Sequence, residues 1–148
     1  MKSLHELTKN FFDILDLTAA SPENADSDEM CFHKALRTFL NGGRKEDAFV
    51  VYFCFSEIFK LFGEGYENTK KLLETLSDHE YHSGELLEKH RDHYSHSVYV
   101  FALGLAIYAN DGEYRRVFNE FYGLSDDGRA ACTFLRLWGL VALFHDIG

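Results

Sequence analysis

FLRLWGLVALFHDIG, residues 134–148, is apolar on nearly every face until it ends on an adjacent imidazole and carboxylate, His145 and Asp146. Behind it, Ala131, Leu135, Trp138, Val141 and Ala142 recur at helical spacing, and Ser125-Asp126-Asp127 supplies a capping cluster at the start. The stretch therefore reads as a helix. Its apolar girth calls for burial among other helices rather than against one of them. Neighbouring helical residues point about 100° apart, so His145 and Asp146 can grip one ion only if it sits beside the helix end.

Working outward, the same periodicity recurs almost everywhere and no strand alternation is convincing. Leu4, Leu7, Phe11, Ile14 and Leu15 mark a first amphipathic helix that ends near Ser21-Pro22, and Asp26 or Ser27 is the expected cap of a second, which stops at Gly42-Gly43. Lys45 to about Phe62 reads as a third helix. Its Phe-Val-Val-Tyr-Phe-Cys-Phe segment is apolar all round, and its β-branched and aromatic content leaves a strand open there. A short amphipathic piece covers Glu67 to Leu76, and a long helix about Leu86 to Tyr108, ending at Asn110-Asp111-Gly112. Tyr114 to Tyr122 closes at Gly123. The expected fold is all-α, with no repeat and no linker long enough to divide it.

The totals agree. Fourteen Phe and eight Tyr in 148 residues set the chain apart from disordered sequences. A net charge of −9, with the signs mixed along the chain, argues against binding a nucleic-acid backbone. It does not exclude a small phosphorylated ligand, because a bound metal can supply local positive charge. Cys31, Cys54 and Cys132 are odd in number, far apart and in apolar helical stretches, as expected of buried free thiols in a reducing cytosol. No signal peptide is apparent, and the longest apolar run, Val98 to Ala109, is too short to span a bilayer. A cytoplasmic protein without a membrane partner is expected.

The second concentration of chemistry is Glu88-Lys89-His90-Arg91-Asp92-His93-Tyr94-Ser95-His96-Ser97. His93 and His96 share a face that continues as Val100, Leu103 and Ile107, so the histidines are expected to cap the polar end of a stripe entering the core. Each of these residues also has an ordinary reading. A histidine at the edge of an apolar stripe is commonly a hydrogen-bonded boundary residue, and His79 and His82, amid polar neighbours, are expected to face solvent. If the two helices pack, however, His96, His145 and Asp146 converge. Such a mixed nitrogen and oxygen set suits Mn²⁺, Fe²⁺, Zn²⁺ or Co²⁺ better than Ca²⁺.

YSHSVYVFALGLAIY, residues 94–108, followed some fifty residues later by LWGLVALFHDIG, residues 137–148, resembles the H…HD core of the HD-domain metal-dependent phosphohydrolases. That family's pattern is His, then His-Asp, then a distant Asp, all on helices. The likeness covers residues 86–148, as the first part of an HD domain in a truncated helical bundle. Residues 1–85 read as an N-terminal helical region of unassigned family, continuous with it. The resemblance implies that His96, His145 and Asp146 are metal ligands for one or two divalent transition-metal ions, with Asp146 central to catalysis. His93 then touches a second metal or a substrate phosphate. Arg91 is a candidate phosphate contact through bidentate guanidinium pairing, against the ordinary alternative of a solvated or salt-bridged side chain.

The implied activity is hydrolysis of a phosphomonoester or phosphodiester in a small, nucleotide-like substrate. The family's closing Asp lies past HDIG, so the expectation is an incomplete catalytic domain, inactive alone. Its rival is a non-catalytic helical regulatory module that keeps the HD scaffold. The greasy C-terminal helix further leads us to expect self-association through it, with Trp138 or Phe144 near the contact.

Overall fold

A computed structural model describes residues 1–63, 67–71, 74–75, 78 and 93–145. In chain order the elements are α1 (Leu4–Ile14), a 3-10 turn (Leu17–Ala19), α2 (Ala25–Gly42), α3 (Lys45–Ile58), α4 (His93–Asn110), α5 (Gly112–Phe121) and α6 (Gly128–Phe144). Residues 67–71 are also helical, and no strand occurs among the described residues. The fold is an all-α helical bundle, and the segment that left a strand open is helix α3.

Local chemistry explains where three of the helices begin. Ser3 and Glu6 form a reciprocal capping box, the Ser3 hydroxyl accepting from the Glu6 N–H at 3.2 Å and the Glu6 carboxylate from the Ser3 N–H at 2.7 Å. The Asp111 carboxylate accepts from the N–H groups of Glu113 and Tyr114, and that of Asp127 from those of Arg129 and Ala130. Helix α2 differs from expectation. It starts at Ala25 behind Asn24, whose side chain makes no capping bond, so neither Asp26 nor Ser27 is the cap. Gly43 ends that helix at φ 65°, a left-handed conformation that glycine adopts without a Cβ penalty.

Helix α1 lies along α4, α2 pairs with α3, and α4 is held between α1 and α6. One apolar cluster joins them, with Phe11, Phe32, Phe39, Tyr52, Phe55, Phe101 and Tyr108 wholly buried at its centre. Rings meet edge-on or tilted through this cluster, as the aromatic quadrupole favours. No helix among the described residues is long and apolar enough to cross a membrane.

Two glycines let α6 approach its neighbours. The Trp138 indole lies where a Cβ on Gly104 would be, and donates its Nε1–H to the Phe101 carbonyl at 3.0 Å. Phe55 of α3 lies where a Cβ on Gly139 would be. Both sit at helix–helix contacts inside apolar helical runs, Gly139 buried and Gly104 half-buried.

Candidate metal centre

The register of α4 against α6 decides which ends meet. Tyr108 stacks on Phe134 with ring centroids 4.3 Å apart, and Trp138 covers Gly104. Four residues forward along α6 thus correspond to four back along α4, and the pair is antiparallel. Seven further steps in each direction set His145 level with Ser97, one residue from His96. At 100° per residue, His145 also shares the side of α6 that carries Phe134 and Trp138, the side facing α4. In axial register, His93, His96 and His145 therefore fall toward one end of this helix pair, without forming, among the described residues, a group that could hold a metal ion.

All three imidazoles are exposed. For α4 this corrects the expected orientation. The stripe of His93, His96, Val100, Leu103 and Ile107 does not enter the core: Leu103 is 51% exposed and Ile107 41%. The buried face is Tyr94, Val98, Phe101, Leu105 and Tyr108. Helix α4 is apolar around most of its girth, so periodicity alone does not choose a face. The large rings do, because each buries more surface than an aliphatic side chain.

His145 is the best-defined member of the set. Its N–H donates to the Val141 carbonyl at 3.1 Å, and its Nδ1 lies 3.0 Å from the Ala142 carbonyl oxygen. A carbonyl only accepts, so Nδ1 carries the proton, and in the neutral ring the lone pair is on Nε2. This backbone-anchored tautomer is the arrangement that commonly orients a metal-binding imidazole. The C-terminal carbonyls of α6 carry partial negative charge, and no basic residue occupies its last turn, so a cation there would be favoured.

Beneath this end lies an aromatic shelf. Tyr52 of α3, wholly buried, donates its hydroxyl proton to the Leu143 carbonyl at 2.6 Å and so satisfies one of the last carbonyls of α6. Its ring meets Tyr94 and Phe144 edge-on, each at 5.5 Å. Tyr94 sits between His93 and His96 in α4, and Phe144 precedes His145. Tyr52 is thus a positioning residue that links both histidine-bearing helix ends to α3. One cue is legible beforehand, a tyrosine inside an otherwise apolar helical run, whose hydroxyl needs a partner once buried.

Asp146 and Arg91 lie outside the described residues, as do His79, His82 and His90. Among the described residues, no group of three or more His, Cys, Asp or Glu could hold a metal ion. Of the proposed set, only His96 and His145 are described, and the antiparallel register alone relates them. Their nitrogen chemistry, with a carboxylate from Asp146, fits a borderline transition-metal ion.

All three thiols are free, as expected, but not all are buried. Cys132 is buried, Cys54 half-buried and Cys31 exposed. Burial, followed by the neighbouring Cys31 thiol, pushes the Cys54 thiol up to about 12, so it is a poor nucleophile at neutral pH. Trp138 and Phe144, expected near a self-association contact, are half-buried against Phe101, Gly104, Tyr52 and Phe55 of the same chain. The most exposed apolar residues of α6 are Val141, at 59%, and Leu140, at 39%. Comparison of the chain with protein-family models, curated proteins and solved structures gives no match.

Proposed function

We propose that the chain is a metal-dependent phosphohydrolase of the HD-domain type, acting in the cytoplasm on a small phosphate ester of nucleotide-like character. One observation carries the reading. The antiparallel register of α4 and α6 sets His96 and His145 at the same end, with the His145 tautomer fixed by Ala142. That is what the spacing of the His96 and His145-Asp146 motifs would require.

In this reading His96, His145 and Asp146 hold the ion: Mn²⁺, Fe²⁺, Zn²⁺ or Co²⁺, singly or as a pair. When bound, such an ion supplies electrophilic charge to a phosphoryl oxygen and makes water acidic enough to attack near neutral pH. The chain's own contribution is placement. The Ala142 carbonyl keeps the proton of His145 on Nδ1, and Tyr52 fixes the last turn of α6 through Leu143. His93, one turn before His96, is available to a second ion or to a substrate phosphate. Arg91 pairs with phosphate oxygens.

Hydrolysis of a panel of nucleotide mono-, di- and cyclic phosphates tests the proposal, using protein loaded with each metal in turn. The assay should include the 148-residue chain and the longest product of its gene. Metal-dependent release of phosphate or nucleotide, abolished by Asp146→Ala, is the expected result. Turnover that survives Asp146→Ala, or none in any form of the protein, refutes it.

A further inference from the structure

Away from the histidine end, a groove of about 500 Å³ runs between α6, the end of α3 and the 3-10 turn. Arg136 and Trp138 are two residues apart, or about 200° on a helix, so the groove lies on the opposite side of α6 from the α4 contact. Its apolar lining includes Phe59, Leu137 and Leu140, and its cations are Lys60, Arg129 and Arg136. No carboxylate lines it among the described residues, although acidic groups exceed basic ones by nine in the whole chain. Arg136 forms no salt bridge among the described residues. Asp16, whose charge reaches Arg129, is engaged by the N–H and hydroxyl of Thr18.

Lys60 supplies an independent observation. It follows the last residue of α3 and its cap, and it is the one non-glycine residue with positive φ, 47°, among the described residues. The turn is closed by Lys60 N–H to the Glu57 carbonyl and Leu61 N–H to the Ser56 carbonyl. Glycine is the usual occupant of such a position. A lysine there accepts backbone strain and sets a cation at the groove, where its charge also reaches the Asp28 carboxylate.

We propose that this groove binds a soluble organic phosphate with an alkyl or aryl body, its phosphate held by Lys60, Arg129 and Arg136 and its apolar part by Phe59, Leu137 and Leu140. Guanidinium groups match phosphate oxygens bidentately, and the volume is that of a small-molecule site rather than a protein interface. The site is distinct from the proposed metal centre and does not depend on it.

Calorimetric titration with octyl phosphate, in the presence of EDTA, tests the assignment. Saturable binding at one site per chain is expected, with inorganic phosphate at least tenfold weaker because it leaves the apolar lining wet. Arg136→Gln should weaken octyl phosphate about fivefold, whereas His145→Ala should leave it unchanged. Lys60→Gly gives the sharper reading. It should weaken binding to a similar degree while raising Tm by about 3 °C, since it removes a cation and relieves the backbone together. Absence of saturable binding overturns the proposal, as does wild-type affinity in either Lys60→Gly or Arg136→Gln. Binding to phosphatidic acid vesicles but not to octyl phosphate would replace the soluble ligand with a membrane surface and refute it equally.

Discussion

Gly104→Ala is a substitution whose sign depends on the packing described above. On an exposed helix interior, replacing glycine by alanine stabilises by about 1 kcal/mol through lower backbone entropy in the unfolded chain. Here the added Cβ would lie 2.7 Å from Cζ2 of Trp138, and closer still to Nε1 and Cε2. The indole must move. Overpacking of this kind costs about 1–3 kcal/mol, and loss of the Trp138 to Phe101 hydrogen bond adds about 1 kcal/mol. Set against the propensity gain, the expected net loss is about 2 kcal/mol, a fall in Tm of roughly 4–8 °C. Urea unfolding followed by circular dichroism, with the fluorescence of the single tryptophan as a second probe, measures it. In a Trp138→Ala background the clash is gone, and Gly104→Ala should become neutral or stabilising. A stabilised Gly104→Ala with Trp138 intact would refute the α4–α6 packing, and with it the register that brings His96 and His145 to one end.

Other substitutions probe separate parts of the account. Tyr52→Phe leaves the Leu143 carbonyl without its buried donor and should cost about 1–3 kcal/mol in urea unfolding; a cost near zero would remove Tyr52 as the tie between α3 and the end of α6. Ser56 is 1% exposed and its hydroxyl has no hydrogen-bond partner among the described residues, so Ser56→Ala should raise stability by about 1 kcal/mol, whereas a loss of that size would contradict its unsatisfied burial. The His33 ring stacks on Phe12 at 4.3 Å, and burial, followed by the charges of His5 and Arg37, holds its imidazole below the ordinary 6.5. The folded state disfavours the protonated ring, so its contribution is present above pH 6.5 and is lost as pH falls through the lower folded value. His33→Phe keeps a stacked ring without a titration, and its stability should fall less than that of the wild type between pH 7 and 5; parallel pH profiles would sink that assignment.

The helices were legible because their boundaries carry strong local chemistry. Ser125-Asp126-Asp127, Asn110-Asp111-Gly112 and Gly42-Gly43 all mark real ends, because a carboxylate cap or a left-handed glycine acts within a few residues. Asn24 was missed because it opens α2 without a side-chain bond, so no capping signature exists to read. The outward turn of Leu103 and Ile107 was illegible for a different reason. Helix α4 is apolar nearly all round, and the choice of face is made by ring volume and by Trp138 resting on Gly104, which are long-range contacts. At the candidate site, the sequence pointed to His96, His145 and Asp146; the first two are described and lie in no group that could hold a metal ion, and Asp146 lies outside the described residues. The hydrogen bonds from His145 to Ala142 and from Tyr52 to Leu143 depend on how α6 ends and what lies under it, which spacing does not encode.

The central claim, that His96 and His145 belong to one metal centre, is tested most directly by metal binding in solution. Purified chain should be stripped with chelator and titrated with Mn²⁺, Fe²⁺, Zn²⁺ and Co²⁺ under anaerobic conditions, with metal content measured after gel filtration. Wild type should retain at least one of these ions. His96→Ala and His145→Ala should each lose it by tenfold or more in affinity, while His5→Ala, on α1, should retain it. Equal retention by the wild type and both variants, or loss in His5→Ala as large as in His145→Ala, would contradict the account.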